Sequence, residues 1–202
     1  MIRAIFLDVD GTLISFSTHE IPASARRALT QAHERGGRRF IATGRAANDL
    51  GPLEGIPYDG VVSLNGARCV ANDGRVVSLH PIPRADFERA LALSEEQDFA
   101  MGLELEEGVF VNRVTPDVKR VAHMVAHPVP EQTDLRELFG RVECCQLCFY
   151  FDAETQRRVM AELPTLVASR WCPIFADVNV AGIDKATGME EFMRSYGFSA
   201  AE

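Results

Sequence analysis

Residues 2–7 (IRAIFL) form a short run rich in apolar strand formers that breaks off at Asp-Val-Asp-Gly-Thr, which predicts a buried parallel strand running into a loop. Pro22 and the pair Gly36-Gly37 bracket a helix with Ala25, Ala28, Leu29 and Ala32 on one face and Arg26, Arg27 and Glu34 elsewhere. Residues 39–42 read as a second strand ending at Thr43-Gly44-Arg45, and residues 60–64 as a third ending at Asn65-Gly66, with a helix-like segment between them. This alternation predicts an α/β fold, a Rossmann-like doubly wound parallel sheet. All three polar clusters fall at strand C-terminal ends, where open α/β sheets bind ligands.

The rhythm changes after Asn65. Residues 68–79 read as a hairpin turning at Asn72-Asp73-Gly74, and from about residue 82 a different unit begins. The pattern there predicts a helix at 84–97, a hairpin over 99–113 turning near Glu106-Glu107-Gly108, a helix at 116–126, a strand at 146–152, a helix at 153–163 and a strand at 173–180. A final helix, 186–196, stops at Gly197, read as a glycine C-cap. The expected organisation is a sheet domain over 1–81, an inserted α+β domain over 82–180 and a return segment over 181–202.

With 202 residues and 47% hydrophobic content, the chain is long enough to bury a core. No stretch approaches the roughly 20 apolar residues of a membrane span, and the first residues lack a signal-peptide pattern, so the expected location is cytoplasmic and no membrane partner is expected. A net charge of −8 argues against nucleic acid and requires any phosphorylated ligand to be held by local positive charge or metal. Five cysteines, an odd number without a disulfide framework, read as reduced thiols. Cys145 and Cys148 have the spacing of a zinc half-site or redox pair, but no second pair completes four ligands, and structural cysteine is the favoured reading.

Asp8 and Asp10 carry the chemistry that the pattern points to. Two carboxylates two residues apart at a strand end can ligate a hard cation and divide catalytic labour, although loops also favour Asp and Gly for their own sake. The full string FLDVDGTL is more specific, and it resembles the first motif of the haloacid dehalogenase superfamily. Residues 40–45 (FIATGR) resemble the second motif and GIDKATG around Lys185 the third. The long insertion between them, with Ser63-Leu64-Asn65-Gly66-Ala67 before it, resembles the Cof-type branch, whose α+β cap is of type IIB.

The resemblance implies a phosphatase of small phosphorylated metabolites, sugar phosphates being the family's commonest class. It makes Asp8 the nucleophile that forms an aspartyl-phosphate and Asp10 the general acid and then base. Mg²⁺ would be held by Asp8 and the Asp10 main-chain carbonyl, with Thr43 and Lys185 on the phosphoryl oxygens. Thr12, Gly44, Arg45 and Asn65 would line the substrate side. For Arg45 and Asn65 a purely structural role in loop hydrogen bonding stands equally open.

A fourth motif, GDxxND in this superfamily, is expected soon after Ser199 and does not occur. A chain of this length is therefore expected to bind Mg²⁺ weakly, to have negligible phosphatase activity and to form a homo-oligomer through an open sheet edge. The alternative to an enzyme is a catalytically impaired form with a binding or regulatory role. His123 and His127, four apart, would share a helix face, and the reading favoured is exposed histidine rather than metal ligand. Trp171 fits a core or a domain interface equally.

Overall fold

The computed structural model describes residues 2–15, 17–18 and 20–202. Its elements are β1 (Ala4–Leu7), α1 (Ala23–Glu34), β2 (Arg38–Ala42), β3 (Gly60–Ser63), β4 (Arg68–Ala71), β5 (Val76–Leu79), α2 (Arg84–Glu96), β6 (Ala100–Leu105), β7 (Gly108–Val111), α3 (Pro116–Met124), β8 (Glu131–Gln132), α4 (Leu135–Phe139), β9 (Gln146–Tyr150), α5 (Ala153–Ala161), β10 (Leu166–Cys172), β11 (Phe175–Val180) and α6 (Lys185–Tyr196). They separate into two compact units, Met1–Leu79 with Ile183–Glu202, and His80–Gly182. No helix is long and apolar enough to cross a membrane among the described residues.

The first unit is built on a five-stranded sheet in the order β1-β2-β3-β4-β5, with β1, β2 and β3 parallel and β4 and β5 added as an antiparallel hairpin. Successive β2 residues go to opposite faces. Ile41 joins Val9, Leu29, Leu53 and Val61 on the α1 side, while Phe40 and Ala42 join Val62, Cys69 and Phe192 on the α6 side. Helices therefore cover both faces, as the doubly wound reading requires. Between β2 and β3 the expected helix-like segment is a single 3-10 turn, Gly51–Leu53, because Gly51, Pro52 and Gly55 break any longer helix. At the sheet's end, β1 pairs among the described residues only with β2, so it is half-buried rather than the buried strand the sequence predicts, and the main-chain oxygen of Glu202 accepts from the N–H groups of Arg3 and Ala4.

The second unit is a six-stranded sheet in the order β10-β11-β9-β6-β7-β8, antiparallel except for β7 with β8. Phe87 and Leu91 of α2, Leu135 of α4 and Val159 of α5 pack on one face against Met101, Leu103, Leu147 and Phe149. Val118 and Val121 of α3 join Ala100, Cys148, Tyr150 and Phe175 from the other face. The sequence pattern missed β10, the two-residue β8 and the five-residue α4. Trp171, on β10, is 48% exposed with its ring 5.3 Å from that of Phe175, so it is not a core residue. His127 falls beyond the end of α3, whose C-cap is Val125, so it does not share a helical face with His123.

Two glycines let α6 lie against the turn after β3. A Cβ on Gly66 would sit 1.9 Å from the main-chain oxygen of Asp184, and one on Gly188 would sit 2.4 Å from Cγ1 of Val62. Gly66 also has φ 98°, which favours glycine. Within a helix, alanine is normally preferred to glycine by about 1 kcal/mol. Here the clash outweighs that preference, and Gly188→Ala should lower the unfolding free energy by about 1–3 kcal/mol in urea titration. Gly51→Ala, where nothing lies within 4 Å of the added carbon, should stay within about 0.5 kcal/mol. Equal effects from the two variants would show that the close approach of α6 does not constrain the fold.

Candidate active site

The site lies on the loops that follow β1, β2 and β3, together with the first turn of α6. After Leu7 the chain alternates, so Val9 is buried in the core while Asp8 and Asp10 project to the same side. A tight turn then folds back, with the N–H groups of Thr12 and Ile14 donating to the Val9 carbonyl and that of Gly11 to the Ile14 carbonyl. Gly11 has φ 78°. The strand end thus presents two carboxylates from a rigid support.

Lys185 reaches Asp8 from the far end of the chain, with Nζ 2.6 Å from Oδ1. It occupies the first position of α6, where the helix dipole disfavours a cation. The carboxylate of Asp8 offsets that penalty. Asp184 caps the helix: its carboxylate accepts from the N–H of Thr187, whose hydroxyl accepts from the N–H of Asp184. This reciprocal cap fixes the turn that carries Lys185. On the other side of Asp8, the Thr12 hydroxyl donates to Oδ2 at 3.4 Å.

Asp10 is held by Arg45. The guanidinium Nε and NH2 donate to its two oxygens at 2.9 and 2.8 Å, a planar two-point grip. NH1 of the same side chain donates to the carboxylate and main-chain oxygen of Asp49 at 3.2 and 3.3 Å. The hydrogen bond to Asp10, reinforced by the charges of Asp10 and Asp49, raises the pKa of Arg45 against an opposing effect of burial. Sequence reasoning did not single out Asp49, which lies in a loop without a motif.

Thr43 is buried, and its hydroxyl accepts the N–H of Arg45 at 3.1 Å while its own N–H donates to the Val62 carbonyl. Asn65 lies at φ 55°, and its N–H donates to the carbonyl of Thr43. A Cβ on Gly44 would approach Oδ1 of Asn65 to 3.0 Å, so the absence of a side chain there gives Asn65 its place. Two groups of contacts thus stand on neighbouring loops, Lys185 and Thr12 on Asp8, and Arg45 on Asp10 and Asp49, with Thr43, Gly44 and Asn65 along the backbone of the Arg45 loop. Asp8 and Asp10 offer hard oxygen donors of the kind Mg²⁺ takes. With Asp49 they place three carboxylates against two cations, an excess that a divalent ion would offset.

A second group of donors sits on the other unit, where Glu104, Cys148 and Asp177 bring their ligand atoms within 4.8 Å of one another. Nε2 of Gln146 donates to both carboxylates, at 2.8 and 3.2 Å, and the Cys148 thiol to Glu104 at 3.5 Å. Protein donors therefore already serve these oxygens. Burial pushes the Cys144 thiol up to about 12, and burial together with Glu104 and Asp177 raises Cys148 well above the usual range. All five cysteines are free and buried, in line with reduced structural thiols.

A sequence profile of the haloacid dehalogenase-like hydrolases matches residues 5–202. Among curated proteins, YkrA, a candidate phosphatase of Bacillus subtilis (strain 168), is 25% identical over 206 residues, which cover 99% of this chain and 77% of YkrA. Among solved structures, BT1666 from Bacteroides thetaiotaomicron, a phosphatase of the haloalkanoate (HAD) superfamily, matches at TM-score 0.95 and 53% identity, over all of this chain and 75% of its own. BT4131, described as a subclass IIB sugar phosphatase, matches at TM-score 0.85 and 30% identity over 98% of this chain and 77% of its own. With its three-loop carboxylate site and these relatives, the chain belongs to the haloacid dehalogenase-like hydrolases, in the Cof-type branch of phosphatases.

Proposed function

We propose that the protein is a Mg²⁺-dependent phosphohydrolase of small phosphorylated metabolites of the sugar-phosphate type, acting through an aspartyl-phosphate on Asp8. The observation that carries this reading is the 2.6 Å contact between Lys185 and Asp8, made across 177 positions of sequence and beside a second carboxylate. An ionised carboxylate next to a fixed cation suits attack on an anionic phosphate ester, because the cation lessens the repulsion between them. The likeness to a sugar phosphatase supports the substrate class.

In the first step an Asp8 oxygen would bond to phosphorus as the bond to the leaving alcohol breaks, with Asp10, which enters this step in its protonated form, giving that alcohol its proton. In the second, Asp10 would take a proton from water, whose oxygen bonds to phosphorus while the Asp8–phosphorus bond breaks. Inorganic phosphate leaves and both carboxyl groups return to their starting states. Lys185 and the hydroxyl of Thr43 would hold the phosphoryl oxygens, with Thr12, Gly44, Arg45 and Asn65 shaping the substrate side. Asp8 and the Asp10 carbonyl would hold Mg²⁺, which when bound neutralises phosphate charge.

In a chain that also carries the fourth-motif carboxylates, Asp8→Asn should lower kcat by at least about 1,000-fold on a panel of sugar phosphates, because an amide cannot form the acyl phosphate. Binding of substrate to that variant, followed by calorimetry, should persist. Near-normal turnover would remove Asp8 as nucleophile. Asp10→Asn should cost about 10²–10⁴-fold in kcat through lost proton transfer. A loss confined to KM would show that Asp10 only binds. Chelation by EDTA should stop turnover and added Mg²⁺ restore it; full activity in excess chelator would sink the metal assignment.

A further inference from the structure

We infer that Asp49 is a positioning residue for this reaction, holding the Arg45 guanidinium in the plane from which it grips both oxygens of Asp10. The inference rests on the proposed role of Asp10. Arg45 has one planar group with which to serve two carboxylates. Its Nε and NH2 edge is taken by Asp10, and NH1 by two oxygens of Asp49. Because the guanidinium is rigid, fixing NH1 fixes the orientation of the opposite edge, and with it the Asp10 carboxylate.

Asp49 is itself well placed to be the fixed end. Its N–H donates to the Ala46 carbonyl at 3.1 Å, closing a turn between two buried residues, Ala46 and Leu50. Leu50 packs in the α1-side core with Leu53 and Ile56. The other end of Arg45 is anchored too, its N–H on the Thr43 hydroxyl and its carbonyl receiving the N–H of Leu64. Held at its backbone and at NH1, Arg45 has little freedom left. Asp10, whose side chain is 44% exposed, has no comparable packing of its own and takes its orientation from the guanidinium. Lysine at 45 would keep the charge but lose the two-sided grip.

The test combines kinetics with a measurement that needs no turnover. Asp49→Ala should lower kcat about tenfold with KM within about twofold, since a misplaced acid/base slows chemistry more than binding. Asp49→Asn, which keeps an acceptor oxygen, should fall between Asp49→Ala and the parent. On an Arg45→Lys background, Asp49→Ala should add no further loss, because its effect runs through the guanidinium. The Nε–H resonance of Arg45 in proton–nitrogen NMR spectra should move in both Asp49→Ala and Asp10→Asn. Unchanged kcat in Asp49→Ala, losses that multiply on the lysine background, or an unmoved resonance would each overturn the inference. The kinetic arms use a chain that also carries the fourth-motif carboxylates; if that parent hydrolyses no sugar phosphate, the functional reading fails, and the resonance alone then decides whether Asp49 orients Arg45. Should Asp49→Ala not fold, Asp49→Asn and the resonance carry the same decision.

Discussion

Gly66 and Gly188 allow the first turn of α6 to lie against the turn after β3, with main-chain atoms of Asp184 where any side chain on Gly66 would be. That approach, sealed by the reciprocal cap of Asp184 and Thr187, decides where the side chain of Lys185 begins. From there its amine meets Asp8, a residue fixed by the end of β1 and a tight turn. Backbone contact thus sets the charge pairing, and the pairing defines the site. A shift of α6 would leave a cation at a helix start without its carboxylate, a poor arrangement for stability as well as for chemistry.

The carboxylates are held in different ways. Asp8 has a lysine that arrives from distant sequence, while Asp10 has an arginine from the next loop, itself steadied by Asp49. A lysine is a compact charge on a flexible stem, able to follow a group that changes its bonding. An arginine fork fixes a plane. In the proposed reaction these two kinds of support would suit an attacking carboxylate, which must tolerate new bonds, and a proton carrier, which must be strict in direction.

Much of the site was legible because its residues sit where the hydrophobic pattern breaks. Asp8 follows a half-buried edge strand, Thr43 and Asn65 follow buried ones, and Lys185 opens a helix whose end is marked by Gly197. Asp49 carried no such mark, since its role depends on the path of a short loop. The strand β10 was hidden for another reason. Its exposed positions hold Val167 and Trp171 as well as Ser169, and its inward side mixes Leu166 and Ala168 with Arg170, so no clean alternation marks it. Arg170 tolerates that side by donating to the carbonyls of Phe151, Cys172 and Pro173. The helix-like segment before β3 failed because two glycines and a proline allow only a single 3-10 turn.

The 177 positions between Asp8 and Lys185 also order events in time. At roughly 5–20 residues per second, a ribosome adds Lys185 about 9–35 s after Asp8. During that interval residues 80–182, which have their own sheet and core, are made while the carboxylate at the end of β1 still lacks its cation. The nascent chain therefore carries the Asp8 carboxylate long before its partner is made, and the ion pair can close only once the first turn of α6 has been added.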